Sequence, residues 1–224
     1  EEIRMNPCTE EEAFMYTGQG CEFNSINIQR QLKDLEENPV YLRRCRLVWK
    51  DIIEYDPYGK QKIKKGVGFM DDEKGGWFLL EKPNKENHFI ERTNYIEPLN
   101  KPMYQIGVDT TQDGRIAENG SDPSILVLKK SCIVNGEEVG LYPVAMWLSP
   151  TRLDIHFDEE VLKAAMWYGC NANYENDRRN DFIFYFNKMK CRGFLDWTPT
   201  IMQNPNKRGG FKPEIGSRSG DPFQ

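Results

Sequence analysis

The stretch Met103-Tyr104-Gln105-Ile106-Gly107-Val108-Asp109 reads as a β-strand that ends in an acid, and the segments on either side of it decide the fold. A polar, Gly-containing loop from Thr110 to Ser121 follows, then a second strand from Ser124 to Lys129. Asn135-Gly136-Glu137-Glu138 turns the chain back through Val139 to Trp147, so the three strands form an antiparallel meander. Phe157-Asp158-Glu159-Glu160 opens a helix with its acids in the first turn, where the helix dipole favours them. The stripe Val161, Leu162, Ala165, Met166 continues that helix to Tyr168, and Gly169 stops it. Cys170 to Tyr174 is a short strand ending at Glu175, followed by a helix from about Asp181 to Met189 and then Gly193-Phe194-Leu195-Asp196-Trp197. The order is α/β, and the helical crossover makes the strands it joins parallel.

Such a crossover sets the new strand beside the first strand of the meander. Asp109 and Glu175 are then expected at the carboxyl-terminal edges of neighbouring parallel strands, where open α/β sheets keep their sites. Two carboxylates held close together repel unless protonated or bridged by a cation. Hard oxygen ligands select Mg²⁺ or Mn²⁺, and a pair of such ions activates water and stabilises a leaving oxygen in phosphodiester cleavage. Asp113 and Asp122, in the loop after Asp109, can reach the same place. Acids at strand ends are also common as solvated turn formers, and that reading stays open on spacing alone.

Upstream, Thr9-Glu10-Glu11-Glu12 has the capping-box form and predicts a short helix. A second helix is expected from Ser25 to Glu37, with Ile28, Leu32 and Leu35 on one face and Asn38-Pro39 ending it. From Leu47 to Leu80 the pattern becomes short β-runs broken at Asp56-Pro57-Tyr58-Gly59 and Asp71-Asp72-Glu73-Lys74-Gly75-Gly76, which predicts a β-hairpin appendage.

The chain has 224 residues, with 35 acidic and 30 basic side chains, a formal charge of −5 and a pI near 5.3. A chain of that length buries about 70% of its unfolded surface, so it holds a real core. Apolar runs such as Ile125-Leu126-Val127-Leu128 are strand-sized, which excludes a membrane-spanning segment. The first residues lack the cationic flank and apolar stretch of a signal peptide, and both ends read as cuts from something longer. Six scattered cysteines without a C-x-x-C pair, and only two histidines, encode neither a zinc site nor a disulfide framework; the cysteines read as free, buried thiols of a reducing cytosol.

The acidic total conceals two basic stretches. Residues 41–65 hold eight basic side chains against three acids, among them Arg43, Arg44, Lys62 and Lys64. Residues 177–212 also hold eight against three, including Arg178, Arg179, Lys207 and Arg208, and both interleave aromatics. Scattered Lys and Arg suffice for sequence-independent phosphate contacts with DNA, whereas a solvated charged face is the competing reading for any one such run.

At this point the residues resemble a family. Tyr104 to Thr111 with Gly114, then Ser121 to Leu128, is similar to the opening of the nuclease domain of tailed-phage terminase large subunits, the DNA-packaging motors. Ala164-Ala165-Met166-Trp167-Tyr168-Gly169 followed by Asn173-Tyr174-Glu175-Asn176-Asp177 resembles that family's helix-then-strand segment. Thr9 to Phe14 with Gly18 to Phe23 resembles the join between its ATPase and nuclease, and Tyr95-Ile96-Glu97-Pro98 its lead-in to the first nuclease strand.

The resemblance implies a ribonuclease-H-like mixed sheet, an antiparallel meander plus parallel strands flanked by helices, with the β-hairpin appendage. It implies three regions: 1–40 as helical lead-in from an ATPase domain, 41–100 as the β-rich appendage, and 101–224 as the nuclease core. The implied activity is two-metal cleavage of concatemeric double-stranded viral DNA, with Asp109 and Glu175 as catalytic metal ligands and Asp122 as a supporting acid. The implied partners are DNA, an ATPase domain on the same chain, the capsid portal and a small terminase subunit, in the cytoplasm of an infected bacterium. The sequence departs from the pattern in two respects. It has no phosphate-binding G-x-x-x-x-G-K-[ST] loop, and nothing after Asp196 matches the family's third acid, a role open to Asp113 or to residues beyond this chain. A non-catalytic module docking on DNA or the portal, and another ribonuclease-H-like nuclease of resolvase or transposase type, are the alternatives.

Overall fold

The computed structural model describes residues 25–93, 95–109, 123–148, 154–174 and 180–196. The chain divides into two units, Glu1–Tyr41 and Leu42–Gln224. In the first, α1 (Ser25–Glu37) has the expected bounds. A Lys33–Glu37 pair at 3.9 Å lies along it, and the Asn38 N–H bonds the Asp34 carbonyl at 2.7 Å where Asn38-Pro39 ends it. The helix expected from Thr9 lies outside the described residues.

The second unit is built on one mixed sheet of seven strands in the order β2-β1-β3-β8-β7-β6-β9. The strands are β1 (Arg43–Tyr55), β2 (Gln61–Asp71), β3 (Trp77–Leu79), β6 (Tyr104–Asp109), β7 (Ser124–Val134), β8 (Glu137–Leu148) and β9 (Asn171–Tyr174). Every pairing is antiparallel except β6 with β9, which is parallel. The meander β6-β7-β8 and the placement of β9 beside β6 follow the sequence reading. Leu195 adds a parallel bridge to Ala172 on the far side of β9. A small second sheet pairs β4 (Phe89–Glu91) with β5 (Ile96–Pro98).

The turns follow their residues. Asn135 and Gly136 take φ of 53° and 86°, the two positive values that a type I′ turn between twisted strands requires. The stretch 41–100, expected as an appendage, contributes three strands to the main sheet, because β3 pairs with β8 and carries β1 and β2 with it. That path requires the chain to wrap the end of β1 at Asp72–Gly76. A Cβ on Gly75 would lie 2.1 Å from the Cys45 carbonyl oxygen, so only glycine passes there.

The period-2 alternation of the strands produces the core. Cys45, Trp77, Trp147, Ile125, Val108 and Tyr174 form one cross-strand row, and Leu79, Ala145, Val127, Ile106 and Ala172 the next; all are buried. Helix α2 (Asp154–Tyr168) packs on this face and starts three residues before the expected Phe157. Its apolar residues were expected as a stripe, yet Val161 to Tyr168 are buried without a break. A helix covered on all sides reads as apolar all round, which the run Ala164-Ala165-Met166-Trp167-Tyr168 is.

The covering on one end is the segment 84–100. The Asn87 N–H, the Asn100 Nδ2 and the Asn100 N–H donate to the last carbonyls of the helix, at Trp167, Tyr168 and Gly169, over 2.7–2.9 Å. Those are the groups that every helix leaves without an internal partner. The Asn87 side chain also accepts from the Val67 N–H at 2.6 Å and donates to its carbonyl at 2.8 Å, which occupies the open edge of β2. Gly169 takes φ +63°, and a Cβ there would lie 2.5 Å from the His88 carbonyl oxygen, so the residue expected to stop the helix also admits the covering segment. Helix α3 (Asn180–Lys188) supplies Phe182 and Phe186 to the core, Phe182 stacking near Tyr174 with ring centres 4.6 Å apart.

Candidate active site

Asp109 is the last residue of β6 and follows Val108, which points into the core; alternation therefore turns Asp109 to the opposite face of the sheet. The residue is exposed. Its register partners are Ser124 on β7 and, through Ser124, Leu148 on β8. On the other side the parallel ladder pairs Val108 with Tyr174, the final residue of β9. The expected placement of Asp109 at the carboxyl-terminal edge of a strand with a parallel neighbour is therefore present. Glu175, Asp113 and Asp122 lie outside the described residues, as do Arg178, Arg179, Lys207 and Arg208. Among the described residues, no three His, Cys, Asp or Glu side chains converge as a metal-binding group.

One pleat behind Asp109 on the same face, Gly107 pairs with Asn173. A Cβ on Gly107 would meet no atom of the described residues within 4 Å. The Asn173 Oδ1 is buried and accepts no hydrogen bond from any described residue. Asn171, one pleat further, donates from Nδ2 to Asp196 Oδ1 at 2.8 Å, while its own Oδ1 is likewise buried without a donor among the described residues. Burial raises the Asp196 carboxyl above its ordinary range, against the Asn171 hydrogen bond and the charges of Lys130 and Lys101. The sequence reading passed over these two asparagines. Their signal was present: Asn171 and Asn173 alternate with buried Ala172 and Tyr174, which puts two amides on one face of the strand beside β6.

In the basic run 41–65 the cations are interleaved with acids. Six of its eight cations meet a carboxylate: Arg43 with Asp71, Arg46 with Asp72, Lys50 with Glu86, Lys62 with Glu91, Lys64 with Glu54 and Lys65 with Asp51. Four of those acids lie outside the run, brought in by β2, the turn after it and the segment 84–91. A count along the chain cannot register partners that pair across strands. Arg44 donates to the Gly75 carbonyl at 2.8 Å and lies over the Phe78 ring. Lys64 is the clearest departure from expectation: it is 6% exposed, with Nζ 3.1 Å from the Phe89 carbonyl and 3.8 Å from the centre of the Phe89 ring. Its ammonium holds the segment 84–91 to β2 and is not presented to a phosphate.

No helix among the described residues is long and apolar enough to cross a membrane. Comparison of the chain with protein-family models, with curated proteins and with solved structures gives no match.

Proposed function

We propose that this chain is a metal-dependent endonuclease domain of ribonuclease-H-like architecture that cuts double-stranded DNA, as its resemblance to the terminase large-subunit nucleases implies. The observation that carries the reading is the position of Asp109, at the carboxyl end of the first strand of an antiparallel meander, directly beside a parallel strand reached through a buried helix. The succession β8-β7-β6-β9 and then Leu195, with the last two neighbours parallel, supports the same architecture.

The donors fit Mg²⁺ or Mn²⁺ in kind: an exposed carboxylate at Asp109 and, on the same sheet face, a buried amide oxygen at Asn173 with no donor among the described residues. Asp109 would hold the ions together with Glu175, Asp122 and Asp113. When bound, such ions supply an activated water and charge stabilisation at the leaving oxygen. The chain's own contribution is position. β6 is clamped between β7 and β9 as far as Val108, the ladder to β7 runs on through Asp109 and Ser124, and the bare Gly107 leaves room for a DNA backbone to approach the sheet. Phosphate contacts fall to Arg178, Arg179, Lys207 and Arg208, with lesser roles for Arg43, Arg44 and Lys62. The packaging partners, an ATPase domain, the portal and a small subunit in the infected cell, belong to the same proposal.

The test is nicking of supercoiled plasmid with Mn²⁺ by the wild type, Asp109→Ala and Glu175→Ala, each with an unchanged far-UV spectrum. Loss of a ligand is expected to reduce nicking by on the order of a hundredfold or more. Undiminished nicking by both variants rejects the nuclease reading, and a strong preference for branched over linear substrates redirects it to a resolvase.

A further inference from the structure

We infer that Asn173 is a metal ligand of the Asp109 site, its amide oxygen serving as a neutral donor to the same divalent cation. The inference rests on the proposed nuclease reading and names a residue that the reading does not require. Three observations converge. Asn173 and Asp109 lie on the same face of adjacent parallel strands, since Asn173 pairs with Gly107 and Asp109 is two residues beyond Gly107. The Asn173 Oδ1 is buried with no donor among the described residues. Gly107, which faces Asn173 across the ladder, carries no side chain, and even a methyl there would touch no described residue within 4 Å.

A buried acceptor without a partner loses free energy on folding, so it calls for a donor, an ordered water or a cation. The register bears on which of these fits. Strand spacing of about 4.8 Å and a rise of about 3.3 Å per residue put the two Cβ atoms about 8 Å apart along the diagonal. Each side chain carries its oxygen roughly 2.4 Å from Cβ. That leaves about 3 Å between the two oxygens at their closest reach, the span of two neighbouring ligands on a cation with oxygen ligands at about 2.1–2.4 Å. Asn171 serves as the internal comparison. It shares strand and face with Asn173 and also has a buried acceptor without a described donor, but it pairs with Gln105, one pleat further from Asp109, and is committed to Asp196.

The experiment titrates the full chain with Mn²⁺ alone and reads free Mn²⁺ by electron paramagnetic resonance, without DNA. Asn173→Ala is expected to weaken binding by roughly tenfold or more, and Asp109→Ala at least as much. Asn173→Asp restores an oxygen donor and should bind as tightly as the wild type or tighter; Asn171→Ala should bind as the wild type does. Asn173→Ser, read alongside by far-UV circular dichroism, replaces Asn173→Ala if the latter does not fold. If Asp109→Ala loses Mn²⁺ while Asn173→Ala and Asn173→Ser bind as the wild type does, the role of Asn173 is overturned and the metal reading stands. If the wild type binds no Mn²⁺, both fall together.

Discussion

Trp77 on β3 donates its indole N–H to the Glu160 carboxylate of α2 at 2.7 Å, and one strand away Trp49 on β1 does the same to Glu159, also at 2.7 Å. Lys163, almost fully buried, joins the two carboxylates at 3.1 and 2.9 Å. These polar groups fasten the start of a buried helix to the half of the sheet that the appendage contributes. Removing one carboxylate leaves an indole donor and part of a buried ammonium unsatisfied. Glu160→Leu is therefore expected to cost about 2–4 kcal/mol in urea unfolding, and Glu160→Gln, which keeps an acceptor for Trp77, about half as much. Equal losses for the two would assign the effect to the lost charge beside Lys163, not to the hydrogen bond from Trp77.

Asp196 and Glu159 predict opposite pH responses. Burial pushes the Glu159 carboxyl up, but the Trp49 indole and the Lys163 ammonium together bring it below its ordinary range; its contribution is present above the ordinary carboxyl pKa and fades as pH falls through the lowered value. At Asp196 burial prevails and the folded-state pKa lies above the unfolded one. Between those two values the folded state holds the extra proton, so stability falls as pH rises. Asp196→Asn keeps an oxygen for the Asn171 amide and has no charge to desolvate. The variant should melt a few degrees above the wild type at pH 7, with the advantage shrinking as pH is lowered toward the ordinary aspartate range. A wild type that melts higher at pH 7 would mean the ionised form is favoured in the fold.

Much of this architecture was legible because it is local. The Asn135-Gly136 turn, the Gly169 stop and the alternation in Tyr104–Val108 and Ile125–Val127 each fix their element within a few residues. The placement of β9 was legible one level up, from the handed geometry of a strand-helix-strand crossover. What escaped depends on contacts between segments far apart in sequence. β3 joins the appendage to β8 through three residue pairs, which no periodicity announces. Lys64 reads as one more cation in a basic run, and only the fold of segment 84–91 over β2 encloses it. Asn173 reads as a polar residue beside a more conspicuous Glu, and its significance lies in what pairs with it across the ladder.

The thiols give a chemical readout of the core. Burial pushes Cys45 up to about 11 and Cys191 up to about 12, and the completely buried Cys170 further still. Cys132 is half buried, its sulfur 3.7 Å from the Val139 carbonyl oxygen. Since the thiolate is the nucleophile, iodoacetamide at pH 8 should alkylate Cys132 roughly tenfold or more faster than Cys45, Cys170 and Cys191, read by peptide mass spectrometry. Comparable labelling of Cys191 would reveal opening around the 3-10 turn Arg192–Phe194 beside it.

Three glycines separate steric need from open space. At Gly75 an added Cβ meets the Cys45 carbonyl oxygen at 2.1 Å and its carbon at 2.5 Å, both backbone atoms of a strand paired on each side and unable to yield. Gly75→Ala is expected to cost about 3 kcal/mol, through displacement of the turn that carries β3 to its place. Gly169→Ala combines a left-handed backbone with a 2.5 Å approach to the His88 carbonyl and should cost at least as much, since it loosens the segment that caps α2. Gly107→Ala meets no described residue within 4 Å, and alanine suits an inner strand no worse than glycine, so its stability should stay within about 0.5 kcal/mol of the wild type. Urea midpoints at a constant slope check all three. A destabilised Gly107→Ala would show that the surface between Asp109 and Asn173 is already filled, which removes the space that the proposed cation and DNA backbone require.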